Sequence, residues 1–231
     1  VEPAGAAGVM LADQFEPGTF VDAFRFMGHN AGFLLQKSGE HLELSLTALG
    51  IALLLSLPLG LWLGHRHRGL FFAVSVSNVG RALPSLVLIA VGLTIFGVGF
   101  WNNTAALVVL AVPPILTNAY FAIDGVDRDV VEAARGMGLG ELQVLWRVEL
   151  PLGLPLVIAG IRIAVIFVIA TATIAAIAGG GGLGEIIVDQ PSYGLSGVVA
   201  ASLCVSALAF LAALLLSLLL RQMSRRPGPI P

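Results

Sequence analysis

The chain has 231 residues, of which 57% are hydrophobic and 11% charged, with a formal net charge of −2 and a mean hydropathy of +0.95. Soluble domains are about 45–50% apolar and about 25% charged, so this composition excludes an ordinary soluble domain and predicts a membrane-embedded one. The charge balance leaves no basic stripe for nucleic acid.

Residues 1–40 carry Phe15, Phe20, Phe24, Phe26 and Phe33 with Met27 and Leu34, a pattern that predicts an amphipathic, interfacial helix. Asp22, Arg25 and His29 interrupt it, so no crossing is expected there. The first 25 residues lack a basic stretch followed by an apolar one, so no signal peptide is read.

A helix needs about 20 apolar residues to cross a bilayer core. Five segments satisfy that, at residues 42–64, 82–100 (or from nearer 70), 105–123, 152–178 and 195–220. Kinks are expected near Pro58, Pro84 and Pro113, tolerated where neighbouring helices satisfy the freed carbonyls. The tail, residues 225–231, is expected to be disordered.

The charges orient the bundle. His65-Arg66-His67-Arg68 follows the first segment; Arg128, Arg135 and Arg147 lie between the third and fourth; Arg221, Arg225 and Arg226 follow the fifth. If five helices alternate, all three groups fall on one side. The turn at 99–103 and the loop at 179–194 hold neither Lys nor Arg. The N-terminal stretch adds only Arg25 and Lys37, against Glu2, Asp13, Glu16, Asp22, Glu40 and Glu43. The positive-inside rule then places the N-terminus outside and the C-terminus in the cytoplasm.

Residues 132–151 read EAARGMGLGELQVLWRVELP, the one substantial polar stretch between long apolar runs. Asp127 or Asp129 can cap a helix here, with acids near its start. Gly136, Gly138 and Gly140 are poor helix formers, so a turn between two short helices is expected. The small residue at Gly138 would let another backbone approach.

The other candidates carry less. Gly179, Gly181 and Gly184 formally satisfy GxGxxG, but an apolar segment precedes them, where a dinucleotide site needs a strand and a helix. A flexible re-entrant turn or a plain external loop fits. No GxxxxGK[ST] occurs, so the chain is not expected to hold ATP itself. Arg81 and Arg162 either snorkel to the cytoplasmic headgroups or pair with an acid such as Glu132 or Glu149. Phe96, Phe100, Trp101 and Tyr193 read as interfacial anchors. His65 and His67 read as a solvated juxtamembrane cluster, with no metal site and no catalytic constellation expected. Cys204 reads as a packing residue. In the fourth segment Gly153, Ala159, Gly160, Ala164, Ala170, Ala172, Ala175 and Ala176 permit close helix approach, with Thr171 and Thr173 available for hydrogen bonds.

Glu132-Ala133-Ala134, three residues, Gly138, nine residues, Val148, one residue, then Leu150-Pro151 resemble the EAA signature of binding-protein-dependent ABC-importer permeases; Val148 stands where Ile is usual. RALPSL, VPPILTNAYFAIDGVD, RVELPLGLPLVIAGIRIA and ATATIAAIAGGGGLGEII extend the likeness over about residues 41–220. Together they resemble permeases for glycine betaine, carnitine, choline and proline osmoprotectants, although GGGGLG replaces the more usual GAGGLG. Methionine permeases share the plan and are the runner-up; a channel or ATP-independent carrier is the distant alternative.

The resemblance implies an all-α type I permease bundle, like the methionine permease, of about five transmembrane helices with a cytoplasmic EAA coupling helix. Residues 1–40 would be an extracytoplasmic or interfacial segment, 41–220 the permease domain with its coupling loop at about 127–151, and 221–231 a cytoplasmic tail. It implies no catalysis by this chain, with ATP and Mg held by partner ATPase subunits, a second permease chain (identical or a sister), an extracytoplasmic binding protein and a prokaryotic membrane. Glu132, Ala133, Ala134, Gly138, Leu150 and Pro151 would meet the ATPase. Thr171, Ala172, Thr173 and Ala175 would line the translocation path or the contact between permeases.

Overall fold

A computed structural model of the chain describes residues 18–224, and every regular element among them is helical. In chain order these are α1 (Thr19–His29), α2 (Ala31–His65), α3 (Leu70–Ala82), α4 (Ser85–Phe96), α5 (Phe100–Asp124), α6 (Arg128–Gly136), α7 (Glu141–Val144), α8 (Leu150–Ala175), α9 (Leu183–Val188) and α10 (Gln190–Ser224). A π-helical turn, Leu145–Glu149, joins α7 to α8, and a 3₁₀ turn, Ala176–Ala178, ends α8.

Four stretches are long and apolar enough to cross a membrane: α2, α5, the run Glu141–Ala178 that contains α8, and α10. Helices α3 and α4 make a fifth if taken as one span, bent by 93°. The break lies at Leu83-Pro84. A proline restricts the residue before it to extended backbone, and Leu83 sits at φ −75°, ψ 121°. Pro58 and Pro113-Pro114 lie inside α2 and α5, which run on through them. Gly194 (φ 65°) interrupts α10 near its start, so the long final helix begins near residue 195, as expected.

The centre of the bundle is α2, α5 and α8. Leu44, Ala48, Leu107, Ala111, Ile115, Ala164 and Val168 are buried together. Nearer the α2 C-terminus, Leu61, Ala119, Ile123 and Val157 form a second cluster. Lipid supplies no hydrophobic force between helices, so close contact of backbones does that work. A Cβ at Gly60 would lie 2.7 Å from Ala119 Cβ, and one at Gly160 would lie 2.8 Å from the Pro114 carbonyl. Large apolar side chains are instead exposed on outer faces, Leu54, Leu55 and Trp62 on α2 and Phe210, Leu211 and Leu215 on α10. That inside-out pattern suits a lipid surround.

One expectation about the N-terminal region changes. The helix that carries the first apolar run begins at Ala31, well before residue 42. Lys37, Glu40 and His41 masked it, and each has found a partner. Lys37 pairs with Glu40 at 2.8 Å and also with Glu185, while His41 Nε2 donates to the Ile169 carbonyl at 2.9 Å. The helix expected around the phenylalanines is α1. It packs on α10, where a Cβ at Gly197 would sit 3.3 Å from the Phe26 ring, while Phe20 and Phe24 stay exposed. Phe15, the chain start and the tail at 225–231 lie outside the described residues.

Candidate functional site

The polar stretch between α5 and α8 folds into two short helices around one turn. Asp127 caps α6, its side chain accepting the Asp129 backbone N–H at 2.9 Å. At the other end the Gly138 N–H donates to the Arg135 carbonyl at 2.9 Å, and the Leu139 N–H donates to the Ala134 carbonyl at 3.2 Å. This double bond pattern closes the helix through a left-handed residue. Gly138 is that residue, with φ +88°. A Cβ there would meet nothing within 4 Å of this chain. Within the chain, then, glycine is required by backbone conformation rather than by a close neighbour. The Gly140 N–H donates to Gln143 Oε1 at 3.0 Å and starts α7.

The signature residues divide between inside and outside. Ala134 is buried with Val126, Val131 and Val144, and Leu139 and Val148 pack against them. Leu150 packs on the cluster around Leu61 and Ala119. Glu132, Ala133, Gly138 and Pro151 are exposed, as are the apolar Met137 (76%) and Leu142 (71%). The segment is a small packed unit that presents acids, small residues and large apolar side chains outward. Exposed apolar groups on a polar segment suit a protein partner.

This unit is pinned to two spans. The π-helical turn carries Glu149 inward, where it is fully buried. His65, at the end of α2, sets Nδ1 2.6 Å from Glu149 Oε2 and Nε2 3.1 Å from Glu141 Oε2. Arg135 of α6 lies 3.0 Å from the same Glu141 oxygen. One relay thus joins α6, α7, the start of α8 and the end of α2. His67 pairs with Asp124 at 2.8 Å and ties the end of α2 to that of α5. The reading of His65 as solvated is therefore wrong: it is 8% exposed, because two carboxylates distant in sequence converge on it. Glu149 Oε1 has no hydrogen-bond partner among the described residues.

Arg162 pairs with neither Glu132 nor Glu149. Its Nη1 donates to Ser217 Oγ on α10 at 3.3 Å, so the ion-pair alternative fails and the side chain reaches towards the α10 C-terminus. The Arg81 side chain lies outside the described residues.

At the opposite end, the glycine run is packed rather than loose. Gly179, Gly181 and Gly182 all have positive φ, and a Cβ at Gly182 would lie 3.0 Å from His41 Cα. The Gly182 N–H donates to Glu40 Oε2 at 3.1 Å, and the Gly99 N–H to the Ala178 carbonyl at 3.0 Å. The chain then re-enters the bundle through α9, whose Leu183 and Ile186 are fully buried. Glu185 belongs to that helix, not to a loop. Tyr193 stacks on Phe33 with ring centroids 5.8 Å apart, and Trp101 is exposed as an anchor would be.

On α8, Ala172 and Ala175 are fully buried in the core with Leu44, Ala48, Leu107 and Ala111 of the same chain. Thr171 is buried. Thr173 is half-buried, and its hydroxyl donates to the Ala170 carbonyl at 2.7 Å.

Residues 56–226 match the family described as binding-protein-dependent transport system inner membrane component. The chain is similar to the glycine betaine/carnitine/choline transport system permease protein OpuCB of Bacillus subtilis, 37% identical over 179 residues, covering 75% of this chain and 82% of that protein. It is also similar to the choline transport system permease protein OpuBB of Bacillus subtilis, 37% identical over 180 residues, covering 76% and 83%. In structure it resembles a chain of the MetNI methionine ABC transporter in an inward-facing conformation, with a TM-score of 0.71 and 22% identity over 83% of this chain and 96% of that one. At that identity the likeness is one of fold.

Proposed function

This chain belongs to the family of binding-protein-dependent transport system inner membrane components, and on that premise we propose that it is the permease subunit of an ATP-driven importer of quaternary-ammonium osmoprotectants. The observation that carries the substrate class is the 37% identity to permeases named for glycine betaine, carnitine and choline. The methionine transporter is matched in fold at 22% identity, which supports no such substrate here.

In this reading ATP is hydrolysed by separate ATPase subunits, and α6–α7 is the coupling segment they push. Glu132, Ala133, Gly138 and Pro151 form the face that meets them, and Ala134 and Leu150 hold that face in place. Support comes from the construction of the segment. Its caps and its own small core make it rigid. The relay from Arg135 through Glu141 and His65 to Glu149 ties it to α2 and α8 at once. A displacement of the segment therefore moves both spans, and through them the buried centre of the bundle.

Orientation follows from charge. The end that carries the coupling segment also carries Arg66, Arg68, Arg128, Arg135 and Arg147, while the other end carries Lys37 against Glu40, Glu185 and Asp189. The positive-inside rule then sets the coupling segment in the cytoplasm and the glycine turn outside, facing a binding protein that delivers the solute. A second permease chain completes the path. Thr171, Ala172, Thr173 and Ala175 lie behind it, with Ala172 and Ala175 holding α8 on α2 and α5 and Thr173 at the margin.

The test is functional replacement. Expressed with its ATPase and binding-protein partners in a bacterium that lacks osmoprotectant uptake, the chain should restore growth at high salt when glycine betaine or choline is supplied. Restored methionine uptake with no osmoprotectant uptake would overturn the substrate assignment.

A further inference from the structure

A cavity of about 380 Å³ lies between α3, α5 and α8, lined by Ser77, Leu110, Thr117, Asn118, Ile163 and Phe167 among others. Its volume is within the range of small-molecule sites, about 300–1,000 Å³. Its depth is notable. Ile163 and Phe167 are near the middle of α8, Leu110 to Asn118 occupy the centre and inner half of α5, and Ser77 is in the last two turns of α3 before the break at Pro84. Midplane sites beside broken helices are where transporters hold solutes.

The lining is polar on one side and apolar on the other. The Asn118 Nδ2 donates to the Pro114 carbonyl at 2.7 Å, which fixes the amide so that Oδ1 is left without a partner in the described structure. Thr117 makes only one long bond, donating to the Ala73 carbonyl at 3.4 Å. Ser77 is 8% exposed, and no described residue bonds its hydroxyl. A hydroxyl that opens onto a cavity within a bilayer is costly to leave unpaired where water does not reach it. An acyl chain or a purely apolar helix leaves that cost in place, whereas a polar solute removes it. Among the described residues no lining side chain is ionisable, so these offer no compensation for a net charge.

We propose that this cavity is a holding point on the solute's route and that it takes a small zwitterion with no net charge, carrying a carboxylate and a methylated ammonium. The Ser77 hydroxyl donates to the carboxylate. The ammonium lies against the Phe167 ring, whose face attracts cations, with Asn118 Oδ1 and the Thr117 oxygen as acceptors around its polarised methyl groups. The inference rests on the osmoprotectant reading above and narrows it to zwitterions over cations at this point.

The experiment is uptake into proteoliposomes holding the full complex with its binding protein, using labelled glycine betaine and labelled choline side by side. Asn118→Asp places a negative charge beside the ammonium and should shift the betaine-to-choline rate ratio about tenfold towards choline, the scale of one good polar contact. The milder Ser77→Ala and Thr117→Val should each slow betaine uptake about threefold to tenfold, as expected for one lost hydrogen bond. Wild-type rates in both mild variants with an unchanged ratio in Asn118→Asp would show that the cavity is off the route, filled by an acyl chain or a second copy of the chain. A wild-type complex that accumulates neither solute would instead overturn the osmoprotectant reading, and the inference with it.

Discussion

His65 Nδ1 lies 2.6 Å from Glu149 Oε2, and the two residues, 84 positions apart, are both buried. With Glu141 on the other ring nitrogen, both contacts become hydrogen bonds when each nitrogen carries a hydrogen or a carboxyl is protonated. The relay links α6 and α7 to the end of α2. Removing one partner of a buried polar pair leaves the other unsatisfied at a cost of about 1–3 kcal/mol, while replacing both by apolar residues of similar shape is often nearly neutral. Glu149→Ala or His65→Ala should therefore lower the thermal unfolding midpoint of the purified complex. The double variant His65→Leu/Glu149→Leu should recover the midpoint yet transport fewer solutes per ATP hydrolysed. Equal transport stoichiometry in the double variant and the wild type would remove the relay from the coupling account.

Gly138 occupies a conformation that L side chains adopt at a cost of about 1–3 kcal/mol. Gly138→Leu should combine that strain with bulk on the exposed face, so transport falls sharply while membrane insertion stays normal. Gly138→Asn, which tolerates the left-handed region, should keep much more activity. Equal losses in the two variants would point to contact size alone, and wild-type transport in both would refute the coupling role.

The orientation is open to chemical labelling. In a Cys204→Ala background, an impermeant thiol reagent should label Ser192→Cys in intact cells and spare Gln143→Cys, since both positions are exposed but stand on opposite sides. The reverse pattern would invert the topology and separate the coupling segment from any cytoplasmic ATPase.

The two faces of α8 should respond differently to the same change. Ala172 and Ala175 are fully buried against α2 and α5, whereas Ile166 on the same helix and Ile177 in the 3₁₀ turn that ends it are exposed. Ala172→Phe or Ala175→Phe should destabilise by about 1–3 kcal/mol through overpacking. Ile166→Phe or Ile177→Phe should leave thermal stability within error. Unfolding midpoints of the four purified variants decide it.

Much of the fold is legible in the sequence because its signals are local. Runs of apolar residues mark α2, α5, α8 and α10, and Asp127 with Gly138 marks the start of α6 and the turn that follows it. What escapes is pairing at long range. Lys37, Glu40 and His41 argue against a span until Glu185, Gly182 and Ile169 are seen beside them. Likewise nothing near His65 announces Glu149, and the inward turn of that glutamate depends on a π-helical turn with no distinct local signature. Ser77 and Asn118 show no motif at all; only their convergence around a cavity singles them out.

The most direct test of the central claim is ATP-driven accumulation of labelled glycine betaine in proteoliposomes that contain this chain, its ATPase and its binding protein. The account predicts uptake only with ATP on the side of the coupling segment and binding protein on the side of the glycine turn, and its collapse in Gly138→Leu. Uptake that proceeds without ATP, or with ATP supplied only on the glycine-turn side, would contradict it.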